Sequence, residues 1–191
     1  MSFLVNFINR IKTVPEESLN KLLPLFEYKL MTKGERIAEI GEIPTDLVII
    51  ETGVIRSFYT DEKGKEYINH LFTPYNASGS LAALILDKPS RLTYECLSNC
   101  KLYTLNFKDF KELTITDTEL SNLYVAFLEL VFLILELKIF DLSVLNATER
   151  YLKIKEQIPN IENLIPQYHI ASYLNITPVQ LSRIRKTIYS K

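Results

Sequence analysis

Residues 165–186 read IPQYHIASYLNITPVQLSRIRK. Pro166 suits the first turn of a helix, where its missing N–H would have no partner in any case. Ile170, Ala171 and Leu174 follow at helical spacing and predict one buried face. Asn175 tolerates the left-handed backbone that a tight turn needs. A second helix opens on Thr177, Pro178 and Gln180, in the N-cap, N1 and N3 places of a capping box. Leu181, Ile184 and Ile188 repeat at i, i+3 and i+7 and predict its inward face. Val179, Gln180, Ser182, Arg183 and Lys186 are left facing outward. Two short helices joined by a turn, with the basic residues on the second, are the pattern of a helix-turn-helix that lays its second helix in the major groove. Thr177, Pro178, Val179, Gln180, Ser182, Arg183, Arg185 and Lys186 form the predicted contact set to double-stranded DNA. Arg183 is the predicted base reader, because its planar fork matches the O6/N7 edge of guanine. Arg185, Lys186 and Lys191 are expected at phosphates, which position without specifying sequence. The alternative is a solvated amphipathic hairpin with a basic face.

Charge supports a division of labour. The last 29 residues hold no acidic side chain and four basic ones, and residues 145–191 carry a net +4 against −5 for residues 1–144. A basic end on an acidic body predicts that only the end meets nucleic acid. All five glycines fall between Gly34 and Gly79, which predicts a β-rich front and a helical back. Cys96 and Cys100 are the only cysteines. Their spacing is not CxxC, and they read as two buried thiols rather than a disulfide or metal pair. No signal peptide is visible, so a cytoplasmic protein is expected. The most apolar stretch, Leu120 to Phe140, is interrupted by Glu129, Glu136 and Lys138, which argues against a membrane span.

Working toward the N-terminus, residues 3–30 read as short helices. From Met31 the period changes to that of strands: Ile37 to Ile40, Leu47 to Ile50, Val54 to Tyr59 and Tyr67 to Phe72, with residues 61–65 as a hairpin loop. Leu92 to Leu97 and Lys101 to Leu105 read as a later pair around residues 98–100. Strands at this spacing predict a sandwich or barrel-like roll. Gly79 to Ile85 reads as a short helix inserted in it. Its first backbone amides, at Gly79, Ser80 and Leu81, could hold an anion, with Arg91 completing a phosphate site. The alternative is that Ser80 only caps a helix and Arg91 is a solvated surface residue.

Asp117 and Thr118 open a long helical pattern. Leu120, Phe127 and Ile134 recur every seven residues, as do Leu123, Leu130, Leu137 and Val144 with an offset of three. These are heptad a and d positions, and Leu120, Leu123, Phe127, Leu130, Ile134 and Leu137 form the predicted homodimer seam. Tyr124, Leu128, Val131, Phe132 and Leu135 make other faces apolar too, so the helix needs two partners: the roll on one side and an identical helix on the other. A buried core helix of a monomer is the alternative. A two-fold dimer would match symmetric DNA half-sites.

The order of parts resembles the Crp/Fnr family of bacterial transcription regulators. The segments that carry the resemblance are IIETGVIRSFYTDEKGKEYINHLF, SGSLAALILDKPSRLTYECL and IASYLNITPVQLSRIRK. The resemblance covers nearly the whole chain. It implies an α+β architecture: an N-terminal double-stranded β-helix, jelly-roll-like and of the cyclic-nucleotide-binding type, at 1–116; a dimerisation helix at 117–144; and a DNA-binding helix-turn-helix at 145–191. It also implies RNA polymerase as a partner and a small-molecule effector at Gly79, Ser80, Leu81, Arg91 and Leu92. In that motif Arg91 matches the ring-phosphate arginine and Gly79 the glycine before the short helix. Ser80 replaces the acidic residue that holds the ribose, and Leu92 replaces the Ser or Thr beside the phosphate arginine. These two departures remove a charge-assisted hydrogen bond and a donor. No cofactor is therefore expected, and another effector, or none, is expected in place of cyclic AMP.

Two cysteines cannot supply the four ligands of an iron–sulfur cluster. A haem would need axial ligands, and His70, the only histidine in the roll, reads as structural. The family's wing is expected to be truncated or absent, because few residues follow Lys186. The family's base-contacting positions fall on Pro178, Val179 and Arg183, and only Arg183 keeps a strong reader. An enzyme is not expected: no nucleophile–base pair, metal-ligand spacing or P-loop is present. A small-molecule sensor that does not bind DNA is the alternative function.

Overall fold

A computed structural model describes residues 2–189. Helices α1 (Ser2–Ile11) and α2 (Glu16–Leu22) lead through a 3₁₀ turn (Leu23–Leu25) into β1 (Phe26–Met31). The sequence predicts helix up to residue 30, and β1 corrects this. Phe26, Tyr28 and Leu30 alternate at strand period, and the strand pairs along its whole length with β8, from Phe26↔Leu105 to Met31↔Cys100. There follow β2 (Arg36–Ala38), β3 (Asp46–Thr52), β4 (Ile55–Thr60), β5 (Glu66–Phe72), β6 (Ala77–Ser78), α3 (Leu81–Leu86), β7 (Thr93–Cys96) and β8 (Cys100–Asn106).

The strands form two four-stranded antiparallel sheets, ordered β1-β8-β3-β6 and β2-β7-β4-β5. This is a roll, as the strand spacing predicts. One pairing differs: β7 and β8 are neighbours in the chain but lie in different sheets. The turn at residues 97–99 carries the chain from one sheet to the other, so β7 pairs with β2 and β4, and β8 with β1 and β3. Gly53 makes the opposing turn possible. Its φ is +99°, and a Cβ there would stand 2.5 Å from Cys100 Sγ and 2.7 Å from the Asn99 carbonyl oxygen. Only glycine fits both the backbone and the space.

The helices after the roll are α4 (Phe107–Thr116), α5 (Thr118–Val144), α6 (Ala147–Gln157), α7 (Ile161–Leu164), α8 (Gln167–Tyr173) and α9 (Pro178–Tyr189). Asp117 caps α5 by accepting from the amides of Glu119 and Leu120 at 3.1 and 3.2 Å, and it accepts from Ser18 and Lys21 of α2 at 3.0 Å. That ties the start of α5 to the N-terminal helices. Leu120 and Leu123 are buried there with Leu4, Phe7, Ile8 and Phe110. They are therefore not available to a dimer seam: the first two turns of α5 belong to the chain's own core. Beyond Leu130 the helix runs out of that core. Phe132, Ile139 and Val144 are each at least 60% exposed, and no described element covers them.

The C-terminal helices are not detached from the roll. Val54, Phe58, Ile68, Leu71 and Leu97 of the roll share one core with Tyr151, Ile154, Ile170, Ala171, Leu174 and Leu181. No helix among the described residues is long and apolar enough to cross a membrane. Cys96 and Cys100 are free and buried.

Candidate nucleic-acid interface and effector cavity

Helices α8 and α9 are joined by a turn in which Asn175 has φ +58°, as expected of the residue chosen for it. The Ile176 amide donates back to the Ala171 carbonyl at 3.0 Å. The capping box forms: the Gln180 amide donates to Thr177 Oγ1 at 3.2 Å, and the Thr177 amide to Gln180 Oε1 at 2.8 Å. Pro166 precedes α8 as its cap, one position before the helix begins. Thr177, Pro178, Val179, Gln180, Ser182, Arg183 and Lys186 are all exposed. The guanidinium of Arg183 has no partner among the described residues.

Arg185 departs from the expected set. It is half-buried, with Nε 2.7 Å from Glu162 Oε1. Glu162 also accepts from the Tyr151 hydroxyl and, at 2.7 Å, from the Tyr189 hydroxyl. Arg185 is thus tied to this network as a brace between α9 and α7, not presented for a phosphate. Lys191 lies outside the described residues, and the wing expectation concerns residues beyond Tyr189.

The two-helix unit is held to the roll by polar contacts that the sequence did not reveal. Arg56 of β4 is 5% exposed. It donates to Glu66 of β5, to Glu95 of β7 at 3.3 Å, and to His169 Nδ1 of α8 at 3.3 Å. Ser172 of α8 donates to the Glu66 carbonyl at 3.1 Å and accepts from the Ile68 amide at 3.0 Å, as an extra rung on the outer edge of β5. Burial, with the Arg56 charge beside it, lowers the His169 pKa to about 4. The only hint in the sequence was an arginine inside the apolar run Val54 to Tyr59.

A second site lies between the roll and α5, a cavity of about 260 Å³. Leu47, Phe72, Ala77, Gly79, Leu81 and Tyr94 form the roll side; Phe7 and Ile11 of α1 and Phe127, Leu130, Val131, Ile134 and Leu135 of α5 form the rest. Of the predicted effector residues, Gly79 and Leu81 line it, and Ser80, Arg91 and Leu92 do not. Ser80 is buried against Ser90, Oγ to Oγ 2.9 Å, and Arg91 is exposed. The Leu81 amide is taken by the Gly79 carbonyl at 2.9 Å. The predicted phosphate cradle is not assembled. Asn69 and His70 line the cavity instead, with Ser57, Ser78, Tyr75 and Asn76. Of these, sequence reading singled out only His70, as a structural residue. Burial, and to a lesser degree Lys138, lowers the His70 pKa to about 4. Phe127, Leu130 and Ile134, expected in a dimer seam, face this cavity.

Residues 29–117 match the cyclic nucleotide-binding domain family. Among solved structures, FixK2 from Bradyrhizobium japonicum is similar with a TM-score of 0.72 at 17% identity, covering 86% of this chain and 85% of that one. The regulator CLP of Xanthomonas campestris, described as c-di-GMP responsive, gives 0.68 at 12% identity, covering 92% of each. The catabolite activator protein of Thermus thermophilus gives 0.57 at 19% identity, covering 94% and 86%. The sequence matches no curated protein. The fold is thus a β-roll of the cyclic-nucleotide-binding type followed by a long helix, and these solved structures share it.

Proposed function

We propose that the chain is a homodimeric, DNA-binding transcription regulator of the Crp/Fnr type whose cavity does not take cyclic AMP in the family's usual way. The observation that carries the DNA reading is the capped, exposed N-terminal half of α9, with Arg183 and Lys186 outward. Arg183 reads a base, and Lys186 meets phosphate. Dimerisation uses the second half of α5, where Leu133, Leu137, Phe140 and Val144 form an exposed stripe at heptad spacing. An apolar stripe of this length in water calls for a partner.

Selection of sites from a random duplex library at two salt concentrations tests this reading. A palindrome with half-sites about one helical turn apart is expected, bound more weakly at higher salt. No enrichment at either salt would sink the DNA function and leave a sensor protein.

A further inference from the structure

The cavity has one feature that the resemblance does not prepare for. None of its lining side chains is an Asp, Glu, Lys or Arg. Two cations on the flanking helices lie behind lining residues and are not themselves part of the lining. Lys138 of α5 donates to the Asn69 carbonyl, and Arg10 of α1 lies 3.8 Å over the Tyr75 ring. A ligand phosphate would therefore enter a largely apolar space whose lining offers it no charge-assisted hydrogen bond, and burying an ion without one is strongly disfavoured. Two polar groups there do lack partners. Ser57 and Ser78 are 1% and 2% exposed, and neither hydroxyl makes a hydrogen bond. Buried polar groups are nearly always satisfied, so each one left over needs an account. Both border this cavity from the roll, Ser57 on β4 and Ser78 on β6.

We propose that the cavity binds an uncharged, mainly apolar small molecule, aromatic or short-chain aliphatic. This deepens the regulator reading and rests on it only for the consequence of binding, not for binding itself. The size limits the ligand, since about 260 Å³ is just below the usual range of small-molecule pockets, roughly 300–1,000 Å³. The site also sits where a ligand could be felt. Val131, Ile134 and Leu135 carry its presence to α5, and His70 stands 6.2 Å, edge-on, from Tyr173 of α8.

The test is a fluorescence titration of the full chain with the uncharged dye N-phenyl-1-naphthylamine, with cyclic AMP as competitor. Saturable binding at one site per chain is expected, with no displacement by cyclic AMP at millimolar concentration. Val131→Phe and Ala77→Leu, which narrow the cavity from opposite walls, should each weaken the dye at least tenfold while far-UV circular dichroism stays native. If one variant fails to fold, the other still decides. Dye affinity unchanged in the folded variant would place the dye on the outer face of α5 and overturn the proposal. Displacement by cyclic AMP would overturn it as well. If the dye behaves as expected but the library yields no DNA site, the ligand class stands and the regulator reading falls.

Discussion

Arg56 shows how much one side chain can organise. It is a buried cation held by two carboxylates, an imidazole and, at 3.8 Å, the Phe58 ring. Removing one partner of a buried charge cluster strands the others, so Arg56→Ala should cost about 3–5 kcal/mol in urea unfolding. The exposed pair Lys29–Glu27, 3.8 Å apart, should contribute no more than about 1 kcal/mol. His169 and His70 add a pH dependence. Their folded pKa values near 4 lie below the ordinary 6.5, so the unfolded chain takes up protons first as pH falls. Their stabilisation is complete above about pH 6.5 and is lost toward pH 4, at about 1.4 kcal/mol per unit for each histidine. Denaturant midpoints measured from pH 7 to 4 should fall on that slope; a flat profile would contradict it. The two arginines of α9 should separate cleanly. Arg183→Ala should cost about 1–3 kcal/mol on the selected site and little on random DNA. Arg185→Ala should instead lower the melting temperature, because its partner is Glu162.

Elements were legible where a local signal fixes them. The α8–α9 turn was readable because Asn175 and the Thr177/Gln180 box are decided by neighbours in sequence. The strands from Ile37 to Phe72 were readable from alternation and glycines. Partnership between elements was not. Nothing near β7 tells it to avoid β8, and β1 is an edge strand whose pairing lies some seventy residues away. The apolar residues of α5 recur at heptad spacing, but spacing cannot say which turns the chain covers itself. The effector motif shows the same limit: Gly79 and Leu81 line the cavity, whereas Ser80 is buried against Ser90 and Arg91 is exposed. These readings give a paired prediction for α5. Leu137→Glu should convert a dimer to monomers in sedimentation without loss of fold. Leu123→Ala should leave association intact and cost about 2–5 kcal/mol of stability through the cavity it opens.

At the scale of the molecule, the polar latch at Arg56 and the hydrocarbon behind it make roll and C-terminal helices one body. Thr177, Pro178 and Gln180 face Gly64 to Tyr67 of the β4–β5 hairpin across a cleft, so movement of that hairpin would be felt directly at α9. The shared core has a further consequence. Phe58, Ile68 and Leu97 finish a hydrophobic surface that Ile170 and Leu181 begin, so the C-terminal helices are not a cassette. Transplanted onto a foreign roll, they would arrive with half of an interior, and recombination at residue 144 would yield functional chimaeras only between parents that also exchange the outer faces of β4 and β5.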